Sequence, residues 1–211
     1  MNIPAIYHRL LAAALLISLA SPLMAAQPPI KIHYFIHDDV PARLRGADLQ
    51  ARQLDHWVTE MARIEQRKIE INYISHAPGI TSMDYKNTDM RVALDDFRER
   101  IVAYRRSQNL TDPNFRNEKF LLFAMTQGNN VGWAEHQQEV GIASPAYIPI
   151  AAHELGHMFG ALHDDGAQLP KDPDSNATCG TYMTSEINEQ SCLRFSDSNR
   201  QRVAQYLRST P

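Results

Sequence analysis

The sequence predicts an α/β fold of the α+β kind, a mixed twisted sheet covered by helices, and three observations predict it. Short β-rich runs alternate with helix-period segments through the first half of the chain. The last third carries few strand-like runs. Between the two parts lies a short helix-forming stretch rich in histidine.

The first run, Ile30 to Ile36, is β-rich and reads as a strand. From about Arg45 to Gln66, Leu49, Leu54, Trp57, Val58, Met61 and Ile64 recur at steps of three and four, which predicts an amphipathic helix. Lys68 to Ile74 alternates as a second strand. Thr88 can cap the next helix, which runs to about Ser107 with Val92, Leu94, Phe97, Ile101, Val102 and Tyr104 as its core face. Arg98, Arg100, Arg105 and Arg106 on that helix read as a solvated face. Lys119 to Thr126 predicts a buried strand, and Val131 to Ala143 one or two irregular strands at a sheet edge. A helix lies within Ser144 to Phe159, a loop without periodicity from Asp164 to Thr178, and a final amphipathic helix over Ser196 to Leu207.

Composition narrows the class. At 211 residues, 44 % hydrophobic and 21 % charged, the chain is an ordinary globular one. A net charge of −3 gives no electrostatic footprint for nucleic acid. Residues 1–26 run from a polar stretch with Arg9 through an apolar segment, Leu10 to Leu19, to Ser21-Pro22-Leu23-Met24-Ala25-Ala26. That is the order of a secretory signal peptide, cleaved after Ala25 or Ala26, and too short to span a bilayer as a helix. Residues 27–211 then form a single domain, with an N-terminal subdomain to about 160 and a C-terminal one over 161–211, secreted or periplasmic and monomeric. Cys179 and Cys192, an even pair close together in an exported chain, are expected to form a disulfide.

The chemistry is concentrated in His153-Glu154-Leu155-Gly156-His157-Met158-Phe159-Gly160-Ala161-Leu162-His163-Asp164. On a helix, residues four apart share one face, so His153 and His157 can direct two imidazoles at one ion. Glu154 lies about a hundred degrees around the axis and can face the same space without being a ligand, as suits a base acting on metal-bound water. A third imidazole at His163 cannot come from the same straight helix. Gly160, just past the helix, supplies the left-handed residue that lets the chain reverse. Three neutral imidazoles leave one tetrahedral position open, the arrangement of a catalytic zinc site. Three His, one Glu and one Gly at these offsets arise by chance in about one in 10⁵ chains of this length.

This pattern resembles that of the metzincin zinc endopeptidases, which add a methionine-bearing turn downstream. Met183, in Cys179-Gly180-Thr181-Tyr182-Met183-Thr184-Ser185, fits that turn. Asp164 directly after the third His, and Phe195-Ser196-Asp197 leading into a terminal helix, are most similar to the reprolysin or adamalysin branch and its short bacterial relatives. The resemblance implies one catalytic zinc ion on His153, His157 and His163, Glu154 as the catalytic base, and structural roles for Gly160, Asp164 and Met183. It also implies a cleft whose edge strand, within Gly132 to Ala143, pairs with an extended polypeptide substrate. Side chains between Ile148 and Ala152, and just after Met183, would shape the adjoining pocket. Two other readings share the motif: a zinc-binding adhesion protein on the same fold, and a zinc hydrolase of a non-peptide polymer. Among second donors to a reacting carbonyl, His136 and Tyr182 are conceivable, without motif support. The loop with Asp164, Asp165, Asp172, Asp174 and Asn176 is rich in oxygen ligands but lacks an EF-hand pattern, so a solvated loop is expected there rather than calcium.

Overall fold

The computed structural model describes residues 27–45, 49, 52–86, 89–110, 114–126, 131–172, 174 and 176–209. The expected leader, residues 1–26, lies outside these. Among the described residues no helix is long and apolar enough to cross a membrane.

A five-stranded sheet organises the chain: β1 (Ile30–Ile36), β2 (Ile69–Ser75), β3 (Glu118–Phe123), β4 (Gly132–Ala134) and β5 (Val140–Ala143), in the spatial order β2-β1-β3-β5-β4. The first four in that order run parallel, and β4 alone is antiparallel, on β5. The expected irregular edge pair thus divides. Of the two, β4 is at the edge, while β5 lies inside the sheet with all four residues buried. The central strands β1 and β3 are buried on both faces and are accordingly near-continuous apolar runs.

Each face of the sheet carries its own core. Ile32, Tyr34, Leu121 and Phe123 point to one side, against α1 (Asp55–Ile64), α3 (Ile150–Met158) and α4 (Asp197–Arg208). Phe35, Phe120, Leu122 and Ile142 point to the other, against α2 (Met90–Ser107). The helix expected from Arg45 is regular from Asp55, where its apolar stripe of Trp57, Met61 and Ile64 is buried.

Several expectations for α2 are corrected. Asp89 caps it, accepting from the Arg91 amide at 2.8 Å, and Thr88 lies outside the described residues. Its buried face is Met90, Ala93, Leu94, Phe97, Ile101 and Arg105, whereas Val92 and Val102 are 56 % and 43 % exposed. The stripe at three- and four-residue steps from Met90 leaves Val92 about half a turn away and Val102 a little over a quarter of a turn away. Arg105 is not solvated either. It is buried, 3.5 Å from Glu118, with its guanidinium stacked over Phe115 and Phe120. Arg98 pairs with Asp95 and reaches Glu135 at 2.8 Å and Glu139 at 3.3 Å, fastening α2 to the β4–β5 connection.

The region after α3 holds more order than its sequence suggests. β6 (Gln168–Pro170), within a stretch expected to be loop, pairs antiparallel with β7 (Thr178–Gly180), which begins at the end of that stretch. Cys179 and Cys192 form the expected disulfide, with Cα atoms 5.3 Å apart. Ser196 caps α4, accepting from the Asn199 amide at 3.2 Å. Buried Glu60 of α1 then ties this region down. It accepts from the Phe195 amide at 2.9 Å and from Arg200 of α4 at 2.7 Å.

Candidate metal centre and active site

α3 places the first three residues of the motif. Its nine residues end at Met158, Phe159 is the C-cap, and Gly160 follows at φ +92°. The Gly160 amide donates to the His157 carbonyl and the Ala161 amide to the Gly156 carbonyl, at 3.0 and 2.8 Å. This pair of bonds is a Schellman stop, and it reverses the chain as the sequence predicts. A short 3₁₀ turn over His163–Asp165 then brings the third imidazole back.

The outcome is a convergence of Nε2 atoms. Those of His153, His157 and His163 lie 3.1 Å from one another. Tetrahedral zinc at about 2.0–2.1 Å from each nitrogen would space them about 3.3–3.4 Å apart, so the triangle fits that ion within a few tenths of an ångström. The His153 tautomer agrees. The His153 Nδ1–H donates to the Tyr182 carbonyl at 2.5 Å, which leaves Nε2 unprotonated and facing inward. Burial first, and the neighbouring imidazoles second, lower His153 to about 3 and His157 to about 4. At neutral pH both rings are uncharged, the state a metal requires. Three inward lone pairs repel unless a cation lies between them. Among the described residues this is the one group of three or more such side chains able to hold a metal ion. Within the oxygen-rich loop, Asp165 is engaged by Arg202.

A floor supports the ligands. Thr181 to Thr184 form a turn, closed by the Thr184 amide on the Thr181 carbonyl at 3.1 Å. It presents the wholly buried Met183 directly beneath α3. A Cβ added to Gly156 would sit 2.6 Å from the Met183 sulfur, so glycine there lets the turn approach between the two helical ligands. The Ala167 amide bonds the Thr181 hydroxyl and the Thr181 amide bonds the Ala167 carbonyl, joining the 3₁₀ turn to this floor. Asp164 itself is exposed. The neighbouring Asp165 carbonyl accepts from Ser196, at 2.5 Å.

Glu154 is 4 % exposed and lines a cleft of about 720 Å³ with the three histidines. Burial raises its pKa well above the ordinary carboxylate range, and a cation beside it would pull the value back down. The edge strand passes close above it. A Cβ at Gly132 would come within 2.9 Å of Glu154 Cγ and Cδ. Ser185, Glu186 and Ile187, just after Met183, line the cleft as expected. Ala151 and Ala152 are instead buried in the core, and Ile148 faces an adjoining recess. Tyr147, which no motif singles out, lines the cleft, whereas neither conceivable second donor does. His136 Nε2 faces the Gly160 carbonyl at 3.1 Å, and the buried Tyr182 hydroxyl meets His56 Nδ1 at 2.5 Å.

The structure resembles metalloproteinase-II of Bacteroides fragilis, with a TM-score of 0.64 and 13 % identity over 88 % of this chain. The chain spans 56 % of that protein's length. A chaperone–substrate complex contains a match at TM-score 0.50 and 14 % identity, over 85 % of this chain and 35 % of the other. A zinc-dependent peptidase of Methanocorpusculum labreanum matches at TM-score 0.46 and 16 % identity, over 82 % of this chain and 99 % of the other. The first two likenesses are of fold. No curated protein matches the sequence. The family model of metallo-peptidase family M12 matches residues 78–204 and so includes the histidine triad, Glu154 and Met183. The chain belongs to metallo-peptidase family M12, and its three histidines are a zinc site of the metzincin type.

Proposed function

We propose that the chain is an exported endopeptidase in which Glu154 is the catalytic base. The observation that carries this is the position of Glu154: one residue from a ligand, at the cleft wall beneath the edge strand, and not among the converging nitrogens. A purely structural zinc site has no use for such a carboxylate. Zinc, when bound, supplies Lewis acidity to the peptide carbonyl and to water. His153, His157 and His163 would hold it, with the His153 tautomer set by the Tyr182 carbonyl behind it. A carboxylate oxygen of Glu154 takes the proton of the attacking water and passes it to the leaving amine. Strand β4 has one edge paired with β5 and offers its other edge to an extended polypeptide, whose main chain supplies the hydrogen bonds. Met183 and Gly160 act on this chemistry only by fixing where the ligands stand.

The leader-like residues 1–26 support export, and the Cys179–Cys192 disulfide suits an oxidising compartment. Residues 27–211 act as one monomeric catalytic unit, in which the part up to about 160 carries the sheet and the remainder carries the third ligand and the floor. N-terminal sequencing of the exported protein, beginning at Ala26 or Gln27, checks the leader.

The decisive measurement compares wild type with Glu154→Gln for zinc content and cleavage of a denatured protein. One zinc in both, with the variant slower by about 10²–10⁴-fold, is expected for the loss of a general base. Equal cleavage by both would exclude Glu154 as the base.

A further inference from the structure

Beside the catalytic cleft lies a second recess of about 700 Å³, and Tyr147 lines both. Its walls are partly apolar, with Leu44 and the exposed Ile148. Its polar groups are unusual. Arg43 and Arg52 are both exposed at the recess, and neither guanidinium joins an ion pair among the described residues. The adjacent Arg45, by contrast, is engaged by the Val40, His37 and Asp38 carbonyls. Deeper in the recess Gln53 is 6 % exposed, and its Oε1 is sealed from solvent without a hydrogen-bond partner. A buried amide is costly to leave unpaired. Among the described residues Glu189 is the one carboxylate on the lining, set against two guanidinium groups.

We propose that this recess is a specificity subsite for an acidic side chain of the polypeptide substrate, a proposal that rests on the peptidase reading above. Guanidinium groups match a carboxylate in shape and charge. The apolar wall takes the methylene stem of glutamate. An extended chain advances about 3.3 Å per residue, so a strand lying along β4 brings a side chain past Tyr147 within a few residues of the scissile bond.

The test uses zinc-loaded protein and two sets of otherwise identical peptides, with Glu or Gln placed in turn at each position around one cleavable bond. Wild type should cleave the Glu peptide about 10-fold better at one position. Arg43→Ala/Arg52→Ala should erase that preference and leave cleavage of the Gln peptide unchanged. Arg43→Glu/Arg52→Glu should turn the preference toward Lys. In the catalytically silenced Glu154→Gln background, calorimetry should show the Glu peptide binding more weakly once both arginines are removed. Cleavage with no acidic preference at any position overturns the subsite and leaves the peptidase reading intact. So does an equal loss on Glu and Gln peptides in the double alanine variant. No cleavage of any peptide or denatured protein by wild type overturns the peptidase reading, and the subsite with it.

Discussion

The two faces of the sheet are built on different principles. The α2 face is a largely apolar layer contributed by one helix and by Ala77, Ile80, Met83 and Tyr85 just before it, with Phe97 and Leu94 in one cluster with Phe35 and Leu122 and with Arg105–Glu118 as its buried ion pair. The α1 face gathers α1, α3, the Met183 turn and α4 from positions far apart in the chain, and polar groups stitch it together. Glu60 joins α1 to Phe195 and Arg200, and His56 joins α1 to Tyr182. The site sits wholly on the stitched face. Generic packing supplies a platform, whereas placing three ligands and a base to a fraction of an ångström takes directed bonds from several segments.

Substitutions on the two faces should therefore separate stability from catalysis. The largest effect expected is on the α2 face: Phe97→Ala removes a wholly buried ring and should lower stability by about 3–5 kcal/mol, with zinc stoichiometry and cleavage per folded molecule unchanged. Chemical denaturation beside single-point activity assays checks both halves. Replacing Cys179 and Cys192 together by Ser opens a 13-residue separation and should cost about 3 kcal/mol, read in the same way. Gly132→Ala reverses the pattern. The new methyl displaces the Glu154 carboxylate, so kcat/KM should fall about 10²-fold while the melting temperature barely moves. Loss of stability without loss of rate in that variant would break the comparison.

A subtler effect concerns Lys119, which the sheet buries on the α1 face. Its ammonium donates to the Gln138 carbonyl at 3.0 Å and the Tyr206 hydroxyl at 2.9 Å, yet burial lowers its pKa to about 7. The unfolded chain keeps this proton up to about 10.4 and the folded chain releases it near 7. Between those values the unfolded state binds more protons, so this residue makes stability rise with pH. Lys119→Met should flatten that slope in melting curves taken between pH 7 and 9. Smallest of all, Arg98→Ala should cost about 1 kcal/mol, because Asp95 and Glu135 are 59 % and 41 % exposed and only the longer contact to Glu139, at 3.3 Å, is mostly buried.

What the sequence made legible follows the same divide between local and distant causes. Strand β1, the helical pair of ligands, the Gly160 reversal and the place of Met183 depend on spacings within a few residues, and all are found. The capping of α2 shifts by one residue because Thr88 and Asp89 are adjacent and chemically equivalent as caps. Burial of Arg105 depends on Glu118 and Phe120 of another strand, and the interior place of β5 depends on its pairing with β3. β6 is three residues long and contains Pro170, so it carries too little pattern to be read without its partner. Tyr147 and the recess it shares gain meaning only where segments near residues 43–53, 145–148 and 189 meet.

The three ligands form a gradient, from His153 buried in the helix to His163 exposed on a turn. Unequal shelter makes the site a door with one hinge. A chelator should not have to wait for global unfolding: local opening of the His163–Asp165 turn, with His153 and His157 kept on α3, is the expected route to a bound ion. Metal exchange should thus be a local event with its own rate, set by the Ser196 and Arg202 contacts that latch this turn, and insensitive to how firmly the opposite face is packed.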